Sequence, residues 1–294
     1  MRYLGLFVFL AWVWSAGAQN RFYKLYSGSG FDKAEDVLAL PDSSYLVAGI
    51  SGSWEENAQG FLMKIDQFGT YQWSQAYGAQ ETEEIKRVFH RPGMGYYLAG
   101  MSSSWTTGGY DPMLVFTDLN GTQQWIKTYP HPSWERIHDG VQTVDTGFVL
   151  VGERLATIGG SADVLLLRLD KNGDTLWTKT IGSSGHDCAR SILRIQDTLF
   201  AVGGEWTLQD SMVQKGFVCL FNEQGQMLWF DTLGVAAGDH AVLDLTQTPF
   251  GIQFAGYRTV SAANHDKFSG MIALDGSITA QNAPLDGAMI SDDI

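Results

Sequence analysis

Apolar residues in this chain recur in short runs separated by turn residues, and no segment carries a helical period. One stretch shows the pattern. Ala34 to Leu40 reads as a strand, and Pro41-Asp42-Ser43-Ser44 as a turn. Tyr45 to Gly49 is apolar on both faces, as a strand buried between two layers must be. Residues 50–60 read as a loop, and Phe61 to Ile65 as a third strand. Asp66-Gln67-Phe68-Gly69 places Asp first and Gly fourth, as a type I turn prefers. Tyr71 to Tyr77 is a fourth strand, so the unit is an antiparallel four-stranded meander.

The unit repeats. Trp73, Trp125, Trp177 and Trp229 are spaced by 52 residues. Each follows a turn glycine: Gly69, Gly121, Gly173 or Gly225. Tyr45-Leu-Val-Ala-Gly49 recurs as segments ending at Gly100, Gly152, Gly204 and Gly256, in steps of 51, 52, 52 and 52. Seventeen residues before each of these glycines stands an acid: Asp32, Glu83, Glu135, Asp187 or Asp239. A meander with two apolar faces is unstable alone, and stacking copies buries both. Four-stranded units of this length stacked radially are β-propeller blades. The expectation is an all-β fold, a β-propeller of five four-stranded blades over residues 19–276. The N-terminal strand Phe22 to Tyr26 is expected to complete the last blade and close the ring. Residues 277–294 are a tail, and Ser277 to Ala280 is the alternative for that outer strand.

The repeat W-x-x-x-[YIL]-G, an acid, Y-L-x-A-G, then L-D-x-x-G is similar to the roughly 50-residue propeller repeats of secreted bacterial proteins. The resemblance covers Phe22 to about Gly276 and implies architecture rather than a particular activity.

Composition narrows the picture. Lys+Arg is 19 and Asp+Glu 32, giving a charge of −13, which argues against a nucleic-acid partner. Met1 to Ala18 has Arg2, an apolar run and a Ser-Ala-Gly-Ala end, and so reads as a secretory signal peptide. Without it the mature chain carries −14 and is placed in the periplasm, on the outer surface or in the medium. The run is shorter than the about 20 residues a membrane span needs. Cys188 and Cys219 fall on strands flanking a middle one, nearly 10 Å apart at two strand spacings, and are expected as buried thiols.

Candidate chemistry is sparse. The chain has no nucleophile elbow, H-E-x-x-H, Walker loop or G-x-G-x-x-G, and its six histidines show no metal-ligand spacing. No catalytic residue, metal or cofactor is assigned. The five acids Asp32, Glu83, Glu135, Asp187 and Asp239 fall on one face and are read as scaffold, bonding the links between blades. Function is expected where repeats differ, in the loops and links carrying Trp54, Trp105, Tyr110, His131, Trp134, His186, Trp206 and His265. That face is expected to bind a protein or glycan, making the chain a non-enzymatic module of the cell envelope. Two alternatives stand beside it. One is a glycoside-active enzyme using channel carboxylates among Asp36, Arg87, Asp139, Ser191 and Asp244. The other is a purely structural envelope component.

Overall fold

The computed structural model describes residues 22–53, 57–105, 109–155, 160–208, 213–234, 238–261 and 264–282. Its described residues form five antiparallel four-stranded sheets. Blade one is β1 (Asp32–Ala39), β2 (Tyr45–Ser51), β3 (Gln59–Ile65) and β4 (Tyr71–Tyr77). Blade two is β5 (Glu83–Arg91), β6 (Gly95–Ser102), β7 (Asp111–Thr117) and β8 (Gln123–Thr128). Blade three is β9 (Glu135–Gln142), β10 (Phe148–Leu155), β11 (Ala162–Leu169) and β12 (Thr175–Ile181). Blade four is β13 (Cys188–Gln196), β14 (Leu199–Thr207), β15 (Gln214–Asn222) and β16 (Met227–Leu233). Blade five is β17 (His240–Thr248), β18 (Gly251–Ser261), β19 (Asn264–Ile272) and β20 (Ile278–Asn282). The fold is an all-β propeller of four-stranded blades, as the repeat requires.

The core is four slabs, each shared by two successive blades. Leu46, Ala48 and Leu62 meet Ile85, Leu98 and Val115 between blades one and two. Tyr97 and Leu114 meet Ile137, Phe148 and Leu165 at the next seam. Val151 and Leu166 meet Ile192, Val202 and Phe217, and Val218 meets Val242, Phe254 and Phe268. The middle strands are apolar on both faces because each face belongs to a different slab. The outermost strands, such as β4 and β12, are largely solvent-facing.

The repeat residues have identifiable jobs. Each first strand carries a β-bulge opposite the repeat glycine, at Glu35, Lys86, His138, Arg190 and Leu243. There the first strand's carbonyl crowds the glycine. A Cβ on Gly49, Gly100, Gly152, Gly204 or Gly256 would lie 1.8–2.0 Å from that oxygen. The tryptophans lie over the β3–β4-type turn of the following blade. Trp177 Nε1 donates to the Glu223 carbonyl at 3.1 Å, and Trp229 Nε1 to that of Leu274 at 2.9 Å. Tyr77 and Tyr129 hydroxyls donate to Gly121 and Gly173 carbonyls, both at 2.7 Å.

The expected closing strand is corrected. The outer strand of blade five is β20, from the C-terminal side, and Phe22–Tyr26 is not a strand. A tight turn at Asp275–Gly276, with Ala273 N donating to Ser277 O at 2.9 Å, delivers β20 directly to β19. A neighbour across a short hairpin has far less loop-closure entropy to lose than a segment at the other end of the chain. Phe22 and Tyr26 instead lie on blade one. The Phe22 ring covers Gly69, and the Tyr26 hydroxyl donates to the Gly69 carbonyl. They take the places on blade one that Trp73 and Tyr77 take on blade two. Blade packing runs from one to five in sequence order, and among the described residues no comparable packing joins blade five to blade one.

Both cysteines are free and buried, on β13 and β15 with β14 between them. Burial pushes both thiols well above their ordinary range. No helix among the described residues is long and apolar enough to cross a membrane.

Candidate functional site

The first strands β1, β5, β9, β13 and β17 lie innermost, packed successively against one another. Just past each bulge, one side chain per blade occupies the same position: Asp36, Arg87, Asp139, Ser191 and Asp244. The bulge re-aims the strand, which is why residues four after the repeat acids in blades one to four, and five after in blade five, share this inner ring. Arg87 ties the first three together. Its Nε lies 2.6 Å from Asp139 Oδ1 and its NH1 3.2 Å from Asp36 Oδ1. The two carboxyls also bond the following blade: Val88 N donates to Asp36 Oδ2 at 2.9 Å, and Ile192 N to Asp139 Oδ2 at 2.8 Å. Ser191 Oγ lies 3.4 Å from Asp244 Oδ1.

Asp139 and its partners are not electrostatically equivalent. Burial raises the Asp139 carboxyl above the usual range, and the nearby Asp244 charge adds to the shift. Arg87 and the amides of Ile192 and Gly140 oppose that rise without cancelling it. The Arg87 side chain, by contrast, is 37% exposed.

The repeat acids make link bonds. Asp32 accepts from Gly28 N at 2.8 Å and from the Ser53 hydroxyl at 2.9 Å. Glu83 accepts from Ala79 N at 3.1 Å and the Ser102 hydroxyl at 2.7 Å. Asp187 accepts from Thr207 N at 2.7 Å, and Asp239 from Gln214 N at 3.0 Å. Glu135 differs: it pairs with Arg154, and burial nevertheless holds its carboxyl above the usual range.

The described loop-face residues differ in their surroundings. Trp54 lies outside the described residues. Trp105 is 43% exposed. Tyr110 and Trp134 meet edge to face at 6.2 Å, and Arg136 lies over both rings. Trp206 is packed inward against Phe230 at 4.7 Å and Phe217 at 6.1 Å. His131 Nδ1 accepts from Ser133 N, and His265 lies against Tyr257. His186 reaches away from these rings, towards Glu153.

A further polar group escaped the sequence reading. Across the seam of blades three and four, His138, Glu153 and Cys188 bring potential metal-ligand atoms together. Their separations in sequence follow the blade period, not a ligand spacing. The available signal was the bulge position itself, where the other repeats carry Glu35, Lys86, Arg190 and Leu243.

No family model matches the chain, and no curated protein matches it. Solved structures do. An exo-1,5-alpha-L-arabinanase from a bovine ruminal metagenomic library is 10% identical, with 89% of this chain and 100% of that one covered and a TM-score of 0.42. An endo-arabinase from Bacteroides thetaiotaomicron VPI-5482 is 14% identical over 85% of this chain and 95% of that one, with a TM-score of 0.42. An endo-1,4-beta-xylanase from the same organism is 10% identical over 85% and 93%, with a TM-score of 0.46. At such identities the likeness is one of fold. The expectation of a non-enzymatic binding and scaffolding module is corrected to this extent: the solved structures found similar are named as enzymes that act on glycans, not as binding modules.

Proposed function

We propose that the chain is a glycoside-active enzyme working through the carboxylates of its channel. The observation that carries this reading is the pairing of Asp36 and Asp139 on one guanidinium, with burial raising the Asp139 carboxyl above the usual range. Glycoside hydrolysis needs two carboxyl groups in unlike environments, one to give a proton and one to act as base or nucleophile. Sharing Arg87 keeps the two no further apart than the roughly 9.5 Å at the wide end of glycosidase geometry. Asp139, in the dry inner wall, serves as proton donor, and Asp36 as the partner carboxylate. Arg87 offers donors to sugar hydroxyls and counters charge that builds during the reaction. The proposal includes export through the segment 1–18, which would place the enzyme where polysaccharides are met.

The test is turnover of a polysaccharide and oligosaccharide panel, read as released reducing ends. Asp139→Asn should lower the rate about 100-fold or more, with an unchanged circular dichroism spectrum. Absence of turnover on every glycan, or a wild-type rate in Asp139→Asn, would overturn the reading.

A further inference from the structure

The same three register positions recur at each seam. They are the bulge residue of one blade, the residue after its repeat glycine, and the residue after the next blade's acid. Between blades one and two these are Glu35, Ile50 and Glu84, bridged by Lys86 at 3.1 Å and 2.6 Å. Between two and three they are Lys86, Met101 and Arg136, and between four and five Arg190, Glu205 and His240. Arg190 Nε there donates to Glu205 at 3.0 Å. The first and last seams thus hold ion pairs. Only the seam of blades three and four carries His138, Glu153 and Cys188, an imidazole, a carboxylate and a thiol.

The geometry at that seam is closed and ligand-like. One atom from each of the three lies within 4.8 Å of the other two. His138 Nε2 is buried, has no hydrogen-bond partner, and lies 3.7 Å from Glu153 Oε1, beyond hydrogen-bond length. Leaving such a nitrogen unpaired in the interior is costly. His186 Nε2 lies 3.3 Å from the other carboxylate oxygen, Glu153 Oε2. Cys188 is fully buried, and the Glu153 side chain is 5% exposed. Ligands at ~2.0–2.3 Å from a tetrahedral ion stand ~3.4–3.8 Å apart, so the cluster needs to contract by only ~1 Å at its widest.

We infer that this seam is a site for a zinc-like divalent cation, bound by His138 Nε2, Glu153 and Cys188 Sγ, with His186 Nε2, beside Glu153, turning in to complete the set. The donor set of two imidazoles, a thiolate and a carboxylate suits zinc rather than magnesium or calcium, which take oxygen cages. Two cations bear on it. Arg190 is engaged by Glu205, and Arg136, whose NH1 lies 3.4 Å from Glu153, also stacks over Tyr110 and Trp134, which can keep its charge when the ion takes Glu153. Binding releases the Cys188 proton to solvent and leaves a thiolate on the ion. The ion would clamp blade three to blade four, since His138 and Glu153 come from one and His186 and Cys188 from the other. This site stands apart from the channel carboxylates and does not depend on the glycosidase reading.

The test is titration of the metal-stripped, reduced full chain with zinc against a chromophoric chelator, and with cobalt by absorption. Wild type should bind one equivalent and melt at a higher temperature with zinc than without. Its cobalt form should show a thiolate-to-metal charge-transfer band in the near ultraviolet. His138→Gln should weaken zinc at least 10-fold, and Cys188→Ser should lose the charge-transfer band. Should Cys188→Ser fail to fold, Glu153→Gln and His186→Gln carry the comparison, with His265→Gln as a control that keeps wild-type affinity. No stoichiometric uptake, or equal uptake by wild type, His138→Gln and Glu153→Gln, would overturn the assignment.

Discussion

Gly100→Ala tests why the repeat keeps its glycine. A Cβ there would lie 1.9 Å from the Glu84 carbonyl oxygen and 2.9 Å from both the Glu84 carbonyl carbon and the Ile85 Cα. All three are backbone atoms of β5, a strand hydrogen-bonded to β6 across the bulge. No side chain can turn aside, so β5 must retreat by about 1 Å or more to restore normal contact. That retreat strains ladder bonds and opens the slab containing Ile85 and Leu98. Overpacking typically costs about 1–3 kcal/mol, and against backbone atoms that cannot turn aside a loss of about 3 kcal/mol is expected. Gly93 is the internal control. Its φ is +73°, yet a Cβ there meets nothing within 4 Å. Gly93→Ala therefore carries only the left-handed penalty, about 1–2 kcal/mol. Urea unfolding followed by tryptophan fluorescence gives both values. If Gly100→Ala falls within about 0.5 kcal/mol of wild type, or is milder than Gly93→Ala, the close-approach argument fails.

Other perturbations are as specific. Tyr129→Phe removes the bond to the Gly173 carbonyl between blades two and three and should cost about 1 kcal/mol by the same urea assay. Trp206→Ala should destabilise by about 3–5 kcal/mol, since its ring packs on Phe217 and Phe230; a loss under about 1 kcal/mol would mean the ring is not held there. Asp42 is held down to about 2 from its ordinary 3.8 by the Ser44 hydroxyl and amide and by Lys64. Its contribution is therefore present above pH 3.8 and is lost as pH falls towards about 2, so Asp42→Asn should flatten the acid limb of a melting-temperature profile over that window. Asp139 has the opposite sign. Its raised folded-state pKa makes the ionised form destabilising, so stability falls as pH rises past the ordinary 3.8, and Asp139→Asn should remove that slope.

The repeat made the blades legible. Tryptophans at a period of 52, turn glycines and runs apolar on both faces leave little choice but stacked meanders. The acids seventeen residues before each blade glycine kept the same period, and Asp32 and Glu83 bond amides of the preceding link. The end of the chain was not. Ala280 stands where tryptophan belongs and hid β20, whereas Phe22 and Tyr26 keep the register and drew the strand to the wrong end. Pattern reports which residues resemble an outer strand; it does not report which of two competitors lies beside β19. The channel position was readable by offset, but the Arg87 bridge was not, because side-chain geometry has no period. The cluster at His138 was hidden for a related reason. A bulge adds one residue and turns a position that period-two reasoning assigns elsewhere into one facing the seam.

The placement of Phe22 and Tyr26 on blade one has a thermodynamic consequence. Each blade is stabilised almost entirely by its immediate neighbours, so the molecule behaves as a linear chain of coupled units rather than a single cooperative block. Interior units lose two couplings when they open, whereas the terminal ones lose one. Blade one has a peptide in place of its missing neighbour and forms a small cluster with Tyr26, Phe61 and Met63. Blade five has no such substitute among the described residues. Amide exchange should therefore be fastest in β17–β20, slowest in blades two to four, and intermediate in β1–β4, a gradient that reads the order of opening directly from the chain.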